Sequence, residues 1–259
     1  MSLVLVDFAE DIGTVTFNHP EKRNVLSKAL MDELLGALNR FRGKKARVVV
    51  LRAQKGAKVW SAGLDIREFP QPGRDPLGYR DPLERVLRAV QHSPAPVIAM
   101  VEGTVWGGAC ELAFVCDLLI GTENTSFCIT PAKIGIPYNP SGILHFLNMA
   151  GMAVIKEMFF TAEPISARRA WQVGLMNHLV PVDELESFTY EMARKISRNS
   201  PLSIAVIKEQ LTILGNAMPL SPETFERIQG LRRVVYDSQD YLEGQRAFLE
   251  KRPPVFRGE

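Results

Sequence analysis

From Ile98 to Asp117 the chain runs Ile-Ala-Met-Val-Glu-Gly-Thr-Val-Trp-Gly-Gly-Ala-Cys-Glu-Leu-Ala-Phe-Val-Cys-Asp. An apolar run closes on Glu102-Gly103, a Gly107-Gly108-Ala109 step follows, and apolar, helix-competent residues continue to Cys116. Strand, glycine turn, helix is an arrangement that aims backbone N–H groups at negative charge, and only small residues let a ligand approach such a turn. Alone, a Gly-Gly pair is better explained as a close-packed turn before a buried helix. A second motif changes that balance. In Val59-Trp-Ser-Ala-Gly-Leu-Asp-Ile66 the small residues Ser61, Ala62 and Gly63 follow a strand, and the Leu64 N–H is free to point outward. Leu64 and Gly108 then furnish two backbone donors from separate loops. Two donors meeting at one oxygen form an oxyanion hole, each worth roughly 3–4 kcal/mol to a transition state. An acyl thioester suits such a hole, because its carbonyl becomes an enolate when charge builds at the α-carbon.

The elements around these loops alternate. Leu3–Asp7 and Val15–Asn18 flank Glu10–Gly13 as a hairpin. Ser27 caps a helix over Lys28–Phe41 with Leu30, Leu34, Leu35 and Leu38 on one face, and Val48–Arg52 is a short buried strand. A Pro/Gly-rich loop from Pro70 to Pro82, with Arg-Asp-Pro-Leu at 74–77 and again at 80–83, reads as a lid. Helix Leu83–His92, strand Pro96–Val101, the glycine-turn helix and strands at Asp117–Gly121 and Ser126–Ile129 complete an α/β pattern. Beyond Ser141 helices are expected at 141–150, 152–160 and 166–172, then a strand at Leu175–Val180 and a helix from Asp183. From Pro201 the pattern is helical, broken at Pro219 and Pro222. The stripes Ile204, Ile207, Leu211, Leu214 and Phe225, Ile228, Leu231, Val235 are expected to pack in the core, with docking on a neighbouring subunit as the alternative.

Several function classes lose support from composition. With 259 residues and a net charge of +2, the chain has ample length for a core and no basic field for nucleic acid or a membrane surface. No apolar run is long enough to span a bilayer, and the N-terminal residues lack a signal-peptide pattern. The three cysteines, Cys110, Cys116 and Cys128, read as buried free thiols in a reducing cytoplasm. His19, His92, His145 and His178 are too dispersed for metal-ligand spacing and read as surface or core residues, so no metal is expected. No serine-hydrolase elbow or nucleotide-binding glycine loop is present.

Ser-Ala-Gly-Leu-Asp-Ile at 61–66 and Gly-x-x-x-Gly-Gly-Ala-x-Glu at 103–111 resemble the crotonase (enoyl-CoA hydratase/isomerase) superfamily; His19–Leu26 and Phe248–Arg252 resemble its terminal motifs. The resemblance covers essentially the whole chain. It implies an α/β fold, a spiral of ββα units over residues 1–198, and a C-terminal helical oligomerisation region over 199–259. The implied assembly is a homotrimer or a dimer of trimers. It further implies an acyl-CoA substrate, with coenzyme A as part of the substrate and no separate cofactor. Leu64 and Gly108 take the oxyanion positions. Ser61 and Ala62 fall in the substrate-binding segment, Lys251 approaches the CoA 3′-phosphate, and Lys22 and Arg23 contribute to the same end.

Hydratases of the superfamily use two glutamates. Glu111 matches the first, whereas the second position falls at Ala132, and Lys133 beside it is no replacement. Three segments, 135–143, 73–79 and 225–238, instead resemble the branch of the superfamily that decarboxylates methylmalonyl-CoA to propionyl-CoA. That branch has histidine where this chain has Leu64. Decarboxylation needs an enolate sink and a neutral grip on the departing carboxylate, for which Tyr138 and Thr130 are the candidates. Glu111 is either protonated and the donor to the enolate, or turned away. A hydratase or isomerase working with Glu111 alone, and a silent acyl-CoA- or RNA-binding protein, are the alternatives.

Overall fold

The central strands of this protein are nearly continuous runs of apolar residues because both of their faces are covered. The computed structural model describes residues 2–69, 78–217 and 219–259. In chain order the elements are β1 (Val4–Ala9), β2 (Ile12–Phe17), α1 (Lys28–Gly43), β3 (Val48–Ala53), β4 (Val59–Ser61), α2 (Pro82–Gln91), β5 (Val97–Val101), β6 (Thr104–Trp106), α3 (Gly108–Phe114), β7 (Leu118–Gly121) and β8 (Ser126–Cys128). There follow α4 (Pro140–Met149), α5 (Met152–Thr161), β9 (Ile165–Ser166), α6 (Ala167–Gln172), β10 (His178–Leu179), α7 (Leu185–Ser197), α8 (Pro201–Gly215), α9 (Pro222–Tyr236) and α10 (Gln239–Glu250).

Two sheets form, ordered β1-β2-β3-β5-β7-β10 and β4-β6-β8-β9. The chain places one strand in the large sheet, the next in the small sheet, then a helix, and repeats: β3-β4-α2, β5-β6-α3, β7-β8-α4. Apart from the antiparallel pairs β1–β2 and β8–β9, the ladders are parallel. Period-two alternation divides the large sheet's side chains between two cores. Val49, Leu51, Val97 and Ala99 pack toward α1 and α2, and Val48, Val50, Ile98 and Met100 pack under α7. Parallel strands buried on both faces read in this continuous apolar way.

The expected hairpin, the Ser27-capped helix and the central strands stand close to their expected bounds. In the second sheet the strands ahead of Ala62 and at Ser126 were expected, whereas β6 and β9 were not anticipated. The strand expected over Leu175–Val180 shrinks to His178–Leu179, and the helix expected from Asp183 begins at Leu185. The lid expected over Pro70–Pro82 lies mostly outside the described residues; its described end, 78–82, runs into α2 at Pro82.

The largest correction concerns the C-terminal helices. The stripes on α8 and α9 do not pack in the chain's own core: Leu211 is 66% and Leu214 71% exposed, and Ile207, Phe225 and Leu231 are exposed too. The residue that fastens α8 is instead Lys208, whose Nζ donates to the carbonyls of Val90 and Ala95 and pairs with Asp117 at 2.7 Å. A buried ammonium is tolerable when each proton has an acceptor.

Candidate active site

Three loops leave the C-terminal ends of the parallel strands β4, β6 and β8 side by side, the position at which parallel sheets commonly open a binding crevice. The first carries Ala62, Gly63 and Leu64. Its course requires glycine: Gly63 has φ +81°, and a Cβ there would lie 2.5 Å from the Trp106 carbonyl oxygen and 3.4 Å from Gly108 N. The second loop turns through Gly107 at φ +52° into α3. A Cβ on Gly108 would sit 3.0 Å from Leu83 Cδ2 and 3.1 Å from Leu64 Cγ. The two loops therefore touch backbone to backbone.

Both backbone donors are open. The bridge between Leu26 and Leu64 uses the Leu26 N–H, donated to the Gly63 carbonyl at 2.8 Å. Gly108 is the first residue of α3, where N–H groups have no intrahelical acceptor. Among the described residues neither the Leu64 nor the Gly108 N–H meets a protein acceptor.

Beside them lies a cleft of about 510 Å³ with mainly apolar walls. Arg23, Ala62, Leu64, Gly108, Thr130 and Tyr138 line it together with Trp106, Ile136 and Phe248. Of the other residues singled out in the sequence, Ser61 is fully buried beneath the loop. Its hydroxyl donates to the Asn24 carbonyl at 2.7 Å and accepts from Gly63 N, so its side chain shapes the loop rather than the cleft wall. Buried Asn24 completes that junction by donating to the Trp60 carbonyl. Lys22 and Lys251 are exposed and outside the lining, Lys251 three residues beyond Phe248. Ala132 is exposed on the 3₁₀ turn Pro131–Ile134 and does not face the cleft. No Asp or Glu lines the cleft among the described residues.

Glu111 is wholly buried on α3, behind Tyr138. Tyr138 donates its phenolic proton to Glu111 Oε2 at 2.7 Å, and His145 Nδ1 lies 2.9 Å from Oε1. Glu111 is not among the residues that line the cleft, and both of its carboxylate oxygens are engaged behind the wall. This arrangement also alters the expected part of Tyr138, whose single proton is already committed; Thr130, whose hydroxyl has no hydrogen-bond partner among the described residues, is the free donor in the wall. Burial, then the Glu111 charge, raise the Tyr138 pKa well above the ordinary phenol value, which keeps it a neutral phenol.

The sequence reading missed the surroundings of this pair. His145 was read only as one of four dispersed histidines, yet α4 places it on Glu111. Asn139 caps α4 by accepting from Gly142 N and donates to Glu84. Burial and the nearby Glu111 raise the pKa of Glu84. The spacing of Tyr138, Asn139, Gly142 and His145 around one helix start was the available signal. Gly142 has no Cβ because the Tyr138 ring lies where it would be. The three cysteines are buried and unpaired. Among the described residues no cluster of three potential metal ligands occurs, and no helix is long and apolar enough to cross a membrane.

Residues 7–259 match the enoyl-CoA hydratase/isomerase family model. The chain is 51% identical to methylmalonyl-CoA decarboxylase of Escherichia coli K12, over 95% of each chain. It is 31% identical to a probable enoyl-CoA hydratase of Rhodobacter capsulatus, over 97% of this chain and 96% of that one. The solved structure of methylmalonyl-CoA decarboxylase in complex with 2-nitronate-propionyl-CoA superposes with a TM-score of 0.98 at 49% identity, over 99% of each chain. With a matching family model, two full-length relatives and the double-sheet spiral in agreement, this chain belongs to the enoyl-CoA hydratase/isomerase, or crotonase, family.

Proposed function

We propose that the protein decarboxylates methylmalonyl-CoA, or a closely related malonyl-type thioester, to propionyl-CoA and CO2. The observation that carries this reading is a cleft with two open backbone donors and, among the described residues, no carboxylate in its wall. Hydration needs a base that touches the attacking water. Decarboxylation needs none, because the bond that breaks supplies the electron pair. The strong likeness to a methylmalonyl-CoA decarboxylase supports the same reading.

In this mechanism the thioester oxygen sits between the N–H groups of Leu64 and Gly108, which meet the charge as the enolate forms. The Thr130 hydroxyl and Tyr138 hold the substrate carboxylate out of the thioester plane. Pro131, Ile134 and Ile136 supply apolar wall at that end, and Lys133, which also lines the cleft, has its ammonium engaged by Glu163 at 3.0 Å; apolar surroundings disfavour the charged carboxylate relative to neutral CO2. The thioester is its own electron sink, so no resident cofactor is required. Arg23 in the wall, with Lys22 and Lys251 flanking it, supplies positive charge for the CoA phosphates. The exposed stripes of α8 and α9 form the surface of a homotrimer or dimer of trimers, with 1–198 as the spiral core and 199–259 as the helical region. Three buried unpaired thiols suit a reducing cytoplasm.

The test offers purified protein methylmalonyl-CoA and crotonyl-CoA separately, with products read by mass. CO2 release and propionyl-CoA are expected from the first. Rapid hydration of the second with no CO2 loss would sink the proposal.

A further inference from the structure

His145 has no task in the chemistry above, although it is the residue that touches Glu111 from the side away from the substrate. Its Nδ1 lies 2.9 Å from Glu111 Oε1 and its Nε2 lies 3.0 Å from Gln91 Nε2. A second cleft of about 180 Å³ opens there, lined by Gln91, Asp117, His145, Asn148 and Lys208 among others. It is roomy enough for several waters. Tyr138 lines the first cleft, His145 the second, and wholly buried Glu111 joins them. One unbroken chain of proton-carrying groups thus runs from one cleft to the other.

The reaction calls for such a chain. Loss of CO2 breaks the carbon–carbon bond and leaves its electron pair in the enolate. The new C–H bond then needs one proton, the departing CO2 brings none, and no carboxylic acid lines the substrate cleft among the described residues. We propose that His145 is a positioning and relay residue that resupplies this proton from the second cleft. Water there protonates Nε2, and the Nδ1 proton passes to Glu111. Glu111 then reprotonates the Tyr138 oxygen as the phenolic proton leaves for the α-carbon. One solvent proton enters, one C–H bond forms, and His145 is left as the neutral Nε2–H tautomer; proton exchange with water of the second cleft restores the Nδ1–H form before the next turnover. The Gln91 amide serves both states of the ring by presenting either its N–H or its carbonyl to Nε2. The other charged groups nearby are already engaged: Asp117 pairs with Lys208, and Glu84 accepts from Asn139 with Arg88 at 3.8 Å. Glu111 is the carboxylate that remains for His145.

This inference rests on the decarboxylase reading. Its test incubates propionyl-CoA with the enzyme in D2O and follows deuterium uptake at the α-carbon by mass, with CO2 release from methylmalonyl-CoA measured in parallel. The variants are His145→Asn, which keeps a donor toward Glu111 but does not titrate, and Gln91→Leu, which leaves the substrate cleft untouched. Uptake is expected to fall tenfold or more in His145→Asn and to lose its pH dependence, with propionyl-CoA affinity unchanged; Gln91→Leu shows a smaller fall. Unchanged uptake and pH profile in a His145→Asn enzyme that still releases CO2 overturns the relay. So does a wild-type enzyme that releases CO2 but never takes up deuterium. A wild type that releases no CO2 defeats the decarboxylase reading first, and the relay with it.

Discussion

Tyr138 lines the substrate cleft, but its proton points out of it: the hydroxyl is donated to Glu111 Oε2 across 2.7 Å. A phenol has one proton to give. To hold a substrate carboxylate with that proton, Tyr138 must turn away from Glu111, which is comfortable only when Glu111 carries a proton of its own. The protonation of a residue that never meets the substrate is thereby tied to substrate grip.

Tyr138→Phe removes both ends of that link. Hydrogen bonds to charged groups are worth about 1.5–3 kcal/mol, so CO2 release should fall on the order of 10–100-fold. Affinity for the CoA ester, measured by calorimetry with propionyl-CoA, should change little. An unaltered turnover number would remove Tyr138 from the mechanism.

Gly108→Ala tests the paired donors. The added methyl must displace Leu83 or Leu64, whose nearest atoms lie at 3.0 and 3.1 Å, and displacing Leu64 spoils the hole. Loss of one donor costs roughly 10²–10³ in kcat. Steady-state kinetics should show that loss, with thermal unfolding as the control for folding. A kcat within twofold of wild type would mean that the two loops do not act on one oxygen.

Glu84 makes stability depend on pH. Burial, followed by the charge of Glu111, raises its pKa above the ordinary 4.5. The folded state therefore binds this proton more tightly than the unfolded chain. Its stabilising contribution is complete below the unfolded value and is lost as pH rises through the raised one. Glu84→Gln, which still accepts from Asn139, should raise Tm by a few degrees at pH 7 to 8 and match wild type near pH 4. A Tm difference that shrinks as pH rises would contradict this.

The exposed apolar stripe on α8 is the surface proposed for assembly. Leu211→Asp with Leu214→Asp changes residues that are mostly exposed in the single chain, so folding should survive while association fails. Sedimentation should then report the mass of one chain, 28.9 kDa. A variant that keeps the wild-type mass would place the interface elsewhere.

The glycine loops were legible because their chemistry is local: Gly63 and Gly107 take a positive φ that favours glycine, and at Gly63 a Cβ would strike the Trp106 backbone. Likewise legible were β3 and β5, whose buried valines and isoleucine stand out by composition. What sequence did not show are contacts set by packing. Tyr138 and Glu111 are 27 residues apart, and His145 and Gln91 54 apart, so no periodicity brings them together. The short strands β6 and β9 are equally silent, since two or three residues cannot establish a period. Amphipathic stripes on α8 read as core because hydrophobicity does not say whose core a face will join.

The substrate cleft borrows a wall from α10. Gly244 brings that helix against the Ile134 backbone, Tyr241 is fully buried, and Phe248 faces the cleft. During synthesis the spiral leaves the ribosome well before this helix does. A nascent chain can thus own a folded sheet and both donor loops while its cleft still stands open to water. The enzyme gains an enclosed acyl site only once α10 has docked, so unfinished or clipped chains that lack it would be folded but leaky toward substrate.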